Sequence, residues 1–445
     1  MWTDLCGQFH CAHFNAFARV RAGLDSRSNN NKETPVTRDR LHFLFLNIGH
    51  FLDHLFTLIF ATVAALALTR EWGLSYEQLV YYATPGFLAF GLFSLPAGWI
   101  ADRWSRHGMM ALFFVGIGLA SIATAYARSP LEIAIWLFIL GVFAAIYHPV
   151  GLAMVVEGAA KSGTGMAIGI NGVWGNLGVG SAALITGFLI DQTGWRSAFV
   201  WPGVISILLG VTYAWVMWPE IRASHGRKPA AKGTPAVAPS GTAVTRSALI
   251  RLSAIIFFTT AISSLVFQST TFSLPKVFAE RLGGIAGSAT LVGWLAFVVF
   301  AAASGAQIVV GKLLDTLGPR TVFMGAAALQ VVFFALMPGL NDWAALAVAL
   351  GFMLGAFGQI PINDYMIGRM AKSELRASIY GVRYVISFLV LGAALPMIGW
   401  VHGRWGFDTL FMLLSVVAVV IFGAVSLLPR KLPDSVSVAP AAAKA

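Results

Sequence analysis

Apolar residues run along this chain in long, unbroken stretches separated by short polar segments. Many of them exceed the roughly 18 residues that a helix needs to cross a bilayer. None shows the strict alternation of a barrel strand, so they are read as helices. In hydrocarbon the backbone must satisfy its own hydrogen bonds, and a helix does so within one segment. Twelve spans are predicted, at 42–66, 77–98, 108–127, 131–155, 164–190, 198–218, 251–275, 287–311, 321–338, 343–368, 377–401 and 408–428. The expected fold is an all-α polytopic membrane protein. Its twelve transmembrane helices form two pseudo-symmetric six-helix bundles, 42–218 and 251–428.

The polar segments complete this organisation. Residues 1–41 contain runs such as SRSNNNKETPVTRDR without the apolar core of a signal peptide, and are read as a disordered cytoplasmic tail. Residues 219–250, with RASHGRKPAAKGTPAVAPSGTAVTRSA, are rich in Pro, Ala, Gly and Thr and are read as a flexible cytoplasmic linker. Residues 429–445 form a second cytoplasmic tail. With the amino terminus inside, 23 Lys and Arg residues fall on the cytoplasmic side and 6 outside, leaving Arg383 within a span. The positive-inside rule therefore puts both termini in the cytoplasm.

Composition narrows the function classes. Charged residues make up 11% of the chain and hydrophobic ones 58%, whereas a soluble domain carries about 25% charged residues. The net charge of +11 resides in the connections between spans, so it reflects topology and no nucleic-acid partner is expected. The two cysteines, Cys6 and Cys11, lie with His10 and His13 in the tail string CGQFHCAH, whose spacing fits no standard zinc pattern.

The halves repeat in sequence. Gly98 and Asp102 recur as Gly311 and Asp315, at an offset of 213. Pro149, Gly169, Gly180, Gly187, Gly194 and Phe199 recur as Pro361, Gly381, Gly392, Gly399, Gly406 and Phe411, all at an offset of 212. A run of matches at one offset marks an internal duplication. Parallel six-helix repeats are a transporter architecture, with the solute site near midplane between them.

The string GWIADRWSRH at 98–107 resembles the loop between helices 2 and 3 of the major facilitator superfamily: Gly98, Asp102, Arg103, Arg106 and His107 match its pattern, and Ser105 replaces the usual glycine. A weaker copy, GKLLDTLGPR at 311–320, keeps Gly311, Asp315, Gly318 and Arg320. The resemblance covers about residues 42–430. It implies a conformational latch in which Asp102 faces the positive end of helix 11 and Arg103 and Arg106 pair with Glu157. The strings NIGHFLDH at 47–54, IYHPVG at 146–151 and NGVWGNLGVG at 171–180 look like the fosmidomycin-resistance-type efflux branch. That resemblance implies proton-driven export of small hydrophilic or amphiphilic compounds. Helix 5 departs from the superfamily's antiporters in lacking a proline.

Polar residues inside spans are costly and are the first functional candidates. In helix 1, Asn47, His50, Asp53, His54 and Thr57 recur at three- and four-residue steps. Asp53 lies ~17 Å into the span, close to midplane. With His148 of helix 4, the residues His50, Asp53 and His54 are the candidates for proton coupling, histidine being the side chain that titrates near neutrality; the alternative is a static polar network. Candidate cavity residues are Asn47, Tyr147, Asn171, Trp174, Asn176, Gln268, Gln359, Asn363, Asp364, Arg383 and Tyr384. An Asp364–Arg383 pair is geometrically reasonable. No metal-spaced His/Glu cluster, nucleophile elbow, phosphate loop or nucleotide-binding domain appears, so neither enzyme activity, a metal nor a cofactor is expected. The reading is a monomeric secondary transporter of a small solute and protons in a bacterial inner membrane. Efflux is favoured over import, and a transporter-shaped solute sensor is a further alternative.

Overall fold

A computed structural model of the chain describes residues 35–158, 164–224, 243–244, 246–370, 376–429 and 437–438. The expected tails and linker lie largely outside these residues. The chain divides into Met1–His42, described only as the start of the first helix, and Phe43–Ala445, which holds everything below.

The apolar stretches become helices α1 (Pro35–Val63), α2 (Thr84–Arg103), α3 (Arg106–Ala125), α4 (Pro130–Ala144), α5 (Thr164–Thr193) and α6 (Trp195–Val216) in the first half. The second half supplies α7 (Arg246–Arg281), α8 (Ala289–Leu317), α9 (Pro319–Leu336) and α10 (Asp342–Met370). Its last helix, Arg376–Ser426, is broken at Gly406 (φ 73°, ψ −177°), giving α11 before the break and α12 after it. Eleven helical segments among the described residues are long and apolar enough to cross a membrane. The longest, Val385–Ser426, contains the Gly406 break, so the division yields the twelve spans expected. Among the described residues, the two-residue strands Ala243–Val244 and Ser437–Val438, which pair in parallel, depart from an all-helical chain.

Polar residues set the helix starts. Ser105, Ser129 and Ser288 each accept a backbone N–H from the first turn of α3, α4 and α8. Ser75 and Gln78 form a reciprocal capping box on the short helix Tyr76–Tyr81 that leads into α2. Glycine sets three of the breaks. Gly194, Gly318 and Gly406 sit at φ 87°, 79° and 73° with extended ψ, at the α5/α6, α8/α9 and α11/α12 junctions. Only glycine adopts that region without strain. Gly194 and Gly406 are a duplicated pair, so the repeat preserves a backbone requirement. Ser105, which stands where Gly318 stands in the second copy of the loop, takes extended backbone (φ −168°) and caps Gly108 instead.

α4 does not continue as a regular helix. At Tyr147–Gly151 the backbone widens into a π-helical turn before Leu152–Gly158 resumes. Pro149 has no N–H to donate and its ring crowds the preceding turn, and the wider turn accommodates both.

The halves meet along α2–α11 and α5–α8. A methyl at Gly293 of α8 would stand 2.5 Å from the Ala183 carbonyl oxygen of α5, so backbones touch there. Asp191, at the end of α5, accepts the N–H of Thr290 at 2.7 Å and its hydroxyl at 2.6 Å, tying α5 to the start of α8. At the other ends of the same helices, Gly169 and Gly172 of α5 and Gly305 and Gly311 of α8 face open space. Between α5 and α8 the seam is thus closed at the Asp191 end and looser at the Asp102 end.

Candidate functional site

Six polar side chains of α1, α4 and α5 converge inside the first half, with a seventh beside them. Asn47 and Asn171 are buried, and Asn171 donates from its amide to the Asn47 side-chain oxygen at 3.0 Å and to the Tyr147 hydroxyl at 2.9 Å. Tyr147 in turn donates to the Leu46 carbonyl at 2.8 Å. His50 stacks on the Tyr147 ring (centroids 4.9 Å) and its Nδ1 meets the Asn171 carbonyl at 2.7 Å. That bond makes Nδ1 the protonated nitrogen and leaves Nε2 with its lone pair. Nε2 is buried and has no hydrogen-bond partner. Gly175 of α5 lies over the face of the ring, where a methyl would stand only 2.6 Å from that nitrogen.

Asp53, one turn further along α1, is fully buried. Its Oδ2 lies 3.3 Å from His148 Nε2, and its Oδ1 has no hydrogen-bond partner. His54 completes the group, 4.9 Å from His50 and 5.5 Å from His148 between ring centroids. The π-helical turn of α4 carries both Tyr147 and His148 into this group. His148 also borders the seam between the halves. Its ring packs on Phe90 of α2 (5.8 Å) and on Phe388 of α11 (5.4 Å), and those two phenylalanines stack on each other at 3.7 Å. The cluster therefore lies against the surface across which the halves contact each other.

Several expected cavity residues are placed elsewhere. Tyr147 is fully buried, with its hydroxyl on the Leu46 carbonyl and its ring stacked on His50. Gln359 is turned to Gln330 of α9, to which its amide nitrogen donates, and Asn363 is held by Thr260 of α7 at 3.3 Å and by the Gln359 carbonyl at 3.0 Å. These amides stay within the second half because a buried amide takes the nearest partner. Trp174, Asn176 and Gln268 are half-buried and form no side-chain hydrogen bond among the described residues. Asp364 is half-buried, while Arg383 and Tyr384 lie outside the residues whose side chains are described.

The 98–107 loop makes one of the two Arg–Glu157 pairs expected of it. Arg106 donates to Asp102 at 2.8 Å and to Glu157 at 2.8 Å. Arg103 does not pair with Glu157. It sits over the Trp99 ring at 4.0 Å, one turn earlier on the same helix face, where a cation–π contact holds it. Gly98 packs on Pro149. In the second copy Asp315 is exposed, and it forms no ion pair with Arg320.

The family is decided by comparison with known proteins. A profile of the Major Facilitator Superfamily matches residues 46–285 and 256–445, the greater part of the chain. The chain belongs to the Major Facilitator Superfamily. It is 26% identical over 356 residues to a gallate transporter of Pseudomonas putida, covering 74% of this chain and 78% of that one. It is 25% identical over 368 residues to the multidrug resistance protein MdtG of Enterobacter lignolyticus, covering 82% and 84%. Among solved structures it resembles a bacterial homologue of the human lysosomal transporter Spinster, with a TM-score of 0.68 and 16% identity, over 89% of this chain and 97% of that one. This facilitator is thus an integral membrane protein and a secondary transporter of small solutes, not an enzyme.

Two features of the facilitator were not anticipated. One is a polar group at the closed end, joining Tyr76 before α2 to α7 and α11. Glu280 meets His402 at 3.0 Å and Lys276 at 3.3 Å, and His402 packs edge-on against the Tyr76 ring at 5.3 Å. Its sequence signal was the i, i+4 pair Lys276/Glu280, which reads as ordinary interface charge. The other is metal-ligand spacing: His50, His54 and His148, expected together as proton-coupling candidates, bring ligand atoms within 4.8 Å of one another. No metal spacing was expected in the spans. The signal present was His50 and His54 at i, i+4, and the third histidine comes from a helix about a hundred residues away, which no local pattern can join.

Proposed function

We propose that this facilitator moves a small organic solute by alternating access, coupled to protons held at the Asp53 group, with efflux as its direction. The placement of Asp53 carries this reading. A fully buried carboxylate with an oxygen lacking any donor is strongly unfavourable unless a cation sits on it. The cation site borders the seam through His148 and Phe388, so a rearrangement of the halves changes its surroundings. The seam itself supports alternating access: α5 and α8 are tied at the Asp191 end and looser at the Asp102 end, as in a carrier on one side of its cycle. The carrier works as a monomer in a bacterial inner membrane, with the Asp102 end and both termini cytoplasmic, in keeping with the basic residues. The division into bundles 42–218 and 251–428 with a cytoplasmic linker belongs to the same reading.

Efflux draws on the strings around Asp53, His148 and Asn171 and on the likeness to the multidrug resistance protein. Import of a small aromatic acid is the second reading, favoured by the match to the gallate transporter over 74% of the chain. Reconstitution in proteoliposomes with an imposed proton gradient separates them. A compound panel that includes aromatic acids and cationic drugs is screened for movement against or along the gradient. Exchange of solute for protons supports efflux, and co-movement supports import. Asp53→Asn should abolish gradient-driven accumulation while solute–solute exchange survives. Equal accumulation by both proteins would make Asp53 structural.

A further inference from the structure

We propose that His50, His54 and His148, beside the Asp53 carboxylate, form a binding site for one divalent first-row transition-metal cation of the zinc class. Three observations support it, and none depends on transport or on the coupling proton.

The first is the donor set. Three converging imidazoles, with a carboxylate next to one of them, suit zinc and its neighbours, whereas calcium and magnesium demand oxygen. His50 and His54 are one helical turn apart on the same face, the spacing by which two histidines of one helix grip a zinc ion. The second is geometry. In a tetrahedral site with bonds of about 2.0–2.1 Å, neighbouring ligand atoms stand about 3.3–3.4 Å apart. Asp53 Oδ2 and His148 Nε2 are already 3.3 Å apart. The imidazole ligand atoms are within 4.8 Å of one another, so rotations of the side chains by about an ångström close them on one ion.

The third is orientation. A metal-bound histidine usually donates its second ring N–H to a backbone carbonyl or a carboxylate, which fixes the tautomer and aims the lone pair at the metal. His50 has this arrangement, with Nδ1 on the Asn171 carbonyl at 2.7 Å and a buried, unpartnered Nε2. Gly175 keeps a side chain away from that nitrogen, since a methyl there would stand 2.6 Å from it. Asp53 Oδ1 adds a buried acceptor that lacks a donor. A cation among the imidazoles would take the lone pair of His50 Nε2, and its charge would offset that of the carboxylate.

The test is zinc binding by the purified full chain in detergent, followed by titration calorimetry. The tail string CGQFHCAH is a competing chelator, so all measurements use a Cys6→Ser, Cys11→Ser background with a tag free of histidine. The expected result is one saturable zinc equivalent that binds at least tenfold more weakly after His54→Gln, after His148→Gln and after Gly175→Ala, which leaves every ligand in place. His402→Gln, at the closed end, should bind as the background does. Equal binding by the background and the three site variants overturns the proposal, as does the absence of any saturable equivalent. A second readout needs no substitution within the site: zinc should protect the half-buried His54 from carbethoxylation, measured by peptide mass spectrometry. Unchanged modification with saturating zinc would also overturn it. A carrier inactive in proteoliposomes that still binds zinc here would separate failure of the transport reading from failure of this one.

Discussion

The same stretch of fold occurs twice in this facilitator, and the copies do different work. At the offset of 212, Tyr147, His148, Pro149 and Gly151 of the first half correspond to Gln359, Ile360, Pro361 and Asn363 of the second. Both copies keep the proline. In the first it lies in a π-helical turn that aims His148 at Asp53. In the second, α10 stays α-helical through Pro361, and its neighbours form a neutral network of Thr260, Asn363, Gln359 and Gln330. A proline alone therefore does not dictate the wider turn. Duplication retained glycines and prolines that set the backbone, while at these four paired positions the titratable side chains, Tyr147 and His148, occur only in the first copy. This asymmetry suits a carrier whose first half holds the cation.

The strongest way to break the comparison is to make the first copy resemble the second. His148→Ile replaces the imidazole by the residue found at Ile360. Gradient-driven solute accumulation in proteoliposomes should fall by about 100-fold or more, equivalent to about 2.7 kcal/mol. The variant should fold, because position 148 packs on Phe90 and Phe388, which accept an apolar neighbour. Retention of full coupled transport would show that the two copies differ in composition but not in role.

How far the sequence foretold this arrangement depends on the range of the interactions involved. The spans were legible because bilayer crossing imposes length and apolarity on each segment separately. The α11/α12 break was legible as Gly406, since its partner Gly194 occupies the same glycine-only backbone region. Asp53, His50 and His54 share one helix and could be grouped by periodicity. Their meeting with His148 and Asn171 required tertiary packing. Tyr147 and Gln359 were expected at a cavity because they are polar residues in a span, yet both are bonded within their own half. Periodicity gives a face, not the neighbour that face meets. Arg103 illustrates the same limit, because sequence offered Glu157 as a partner and the Trp99 ring one turn away was nearer.

A smaller effect sharpens the comparison at the backbone. Gly318 and Ser105 hold equivalent loop positions in different conformations, φ 79° and φ −168°. Gly318→Ser forces a side chain into the glycine-only region and should cost about 1–3 kcal/mol, seen as a lower thermal unfolding midpoint in detergent. Ser105→Gly loses a cap that glycine largely replaces, and should cost only a few tenths of a kcal/mol. Equal losses in the two variants would mean that the loops adopt one conformation after all.

The smallest effect is expected from the neutral network, and it decides whether the second copy contributes chemistry. Gln359 and Gln330 are buried and bonded to each other, so removing one alone strands the other at about 1–3 kcal/mol. Replacing both with apolar residues of similar volume, Gln330→Met with Gln359→Met, removes donor and acceptor together. Such a paired exchange is close to neutral, within about 1 kcal/mol. Coupled transport by the double variant should stay within about twofold of the parent, against the large loss expected from His148→Ile, because neither amide touches the cation group or the seam. A loss comparable to that of His148→Ile would place solute contact or coupling in the second half as well, and the division of labour between the copies would have to be abandoned.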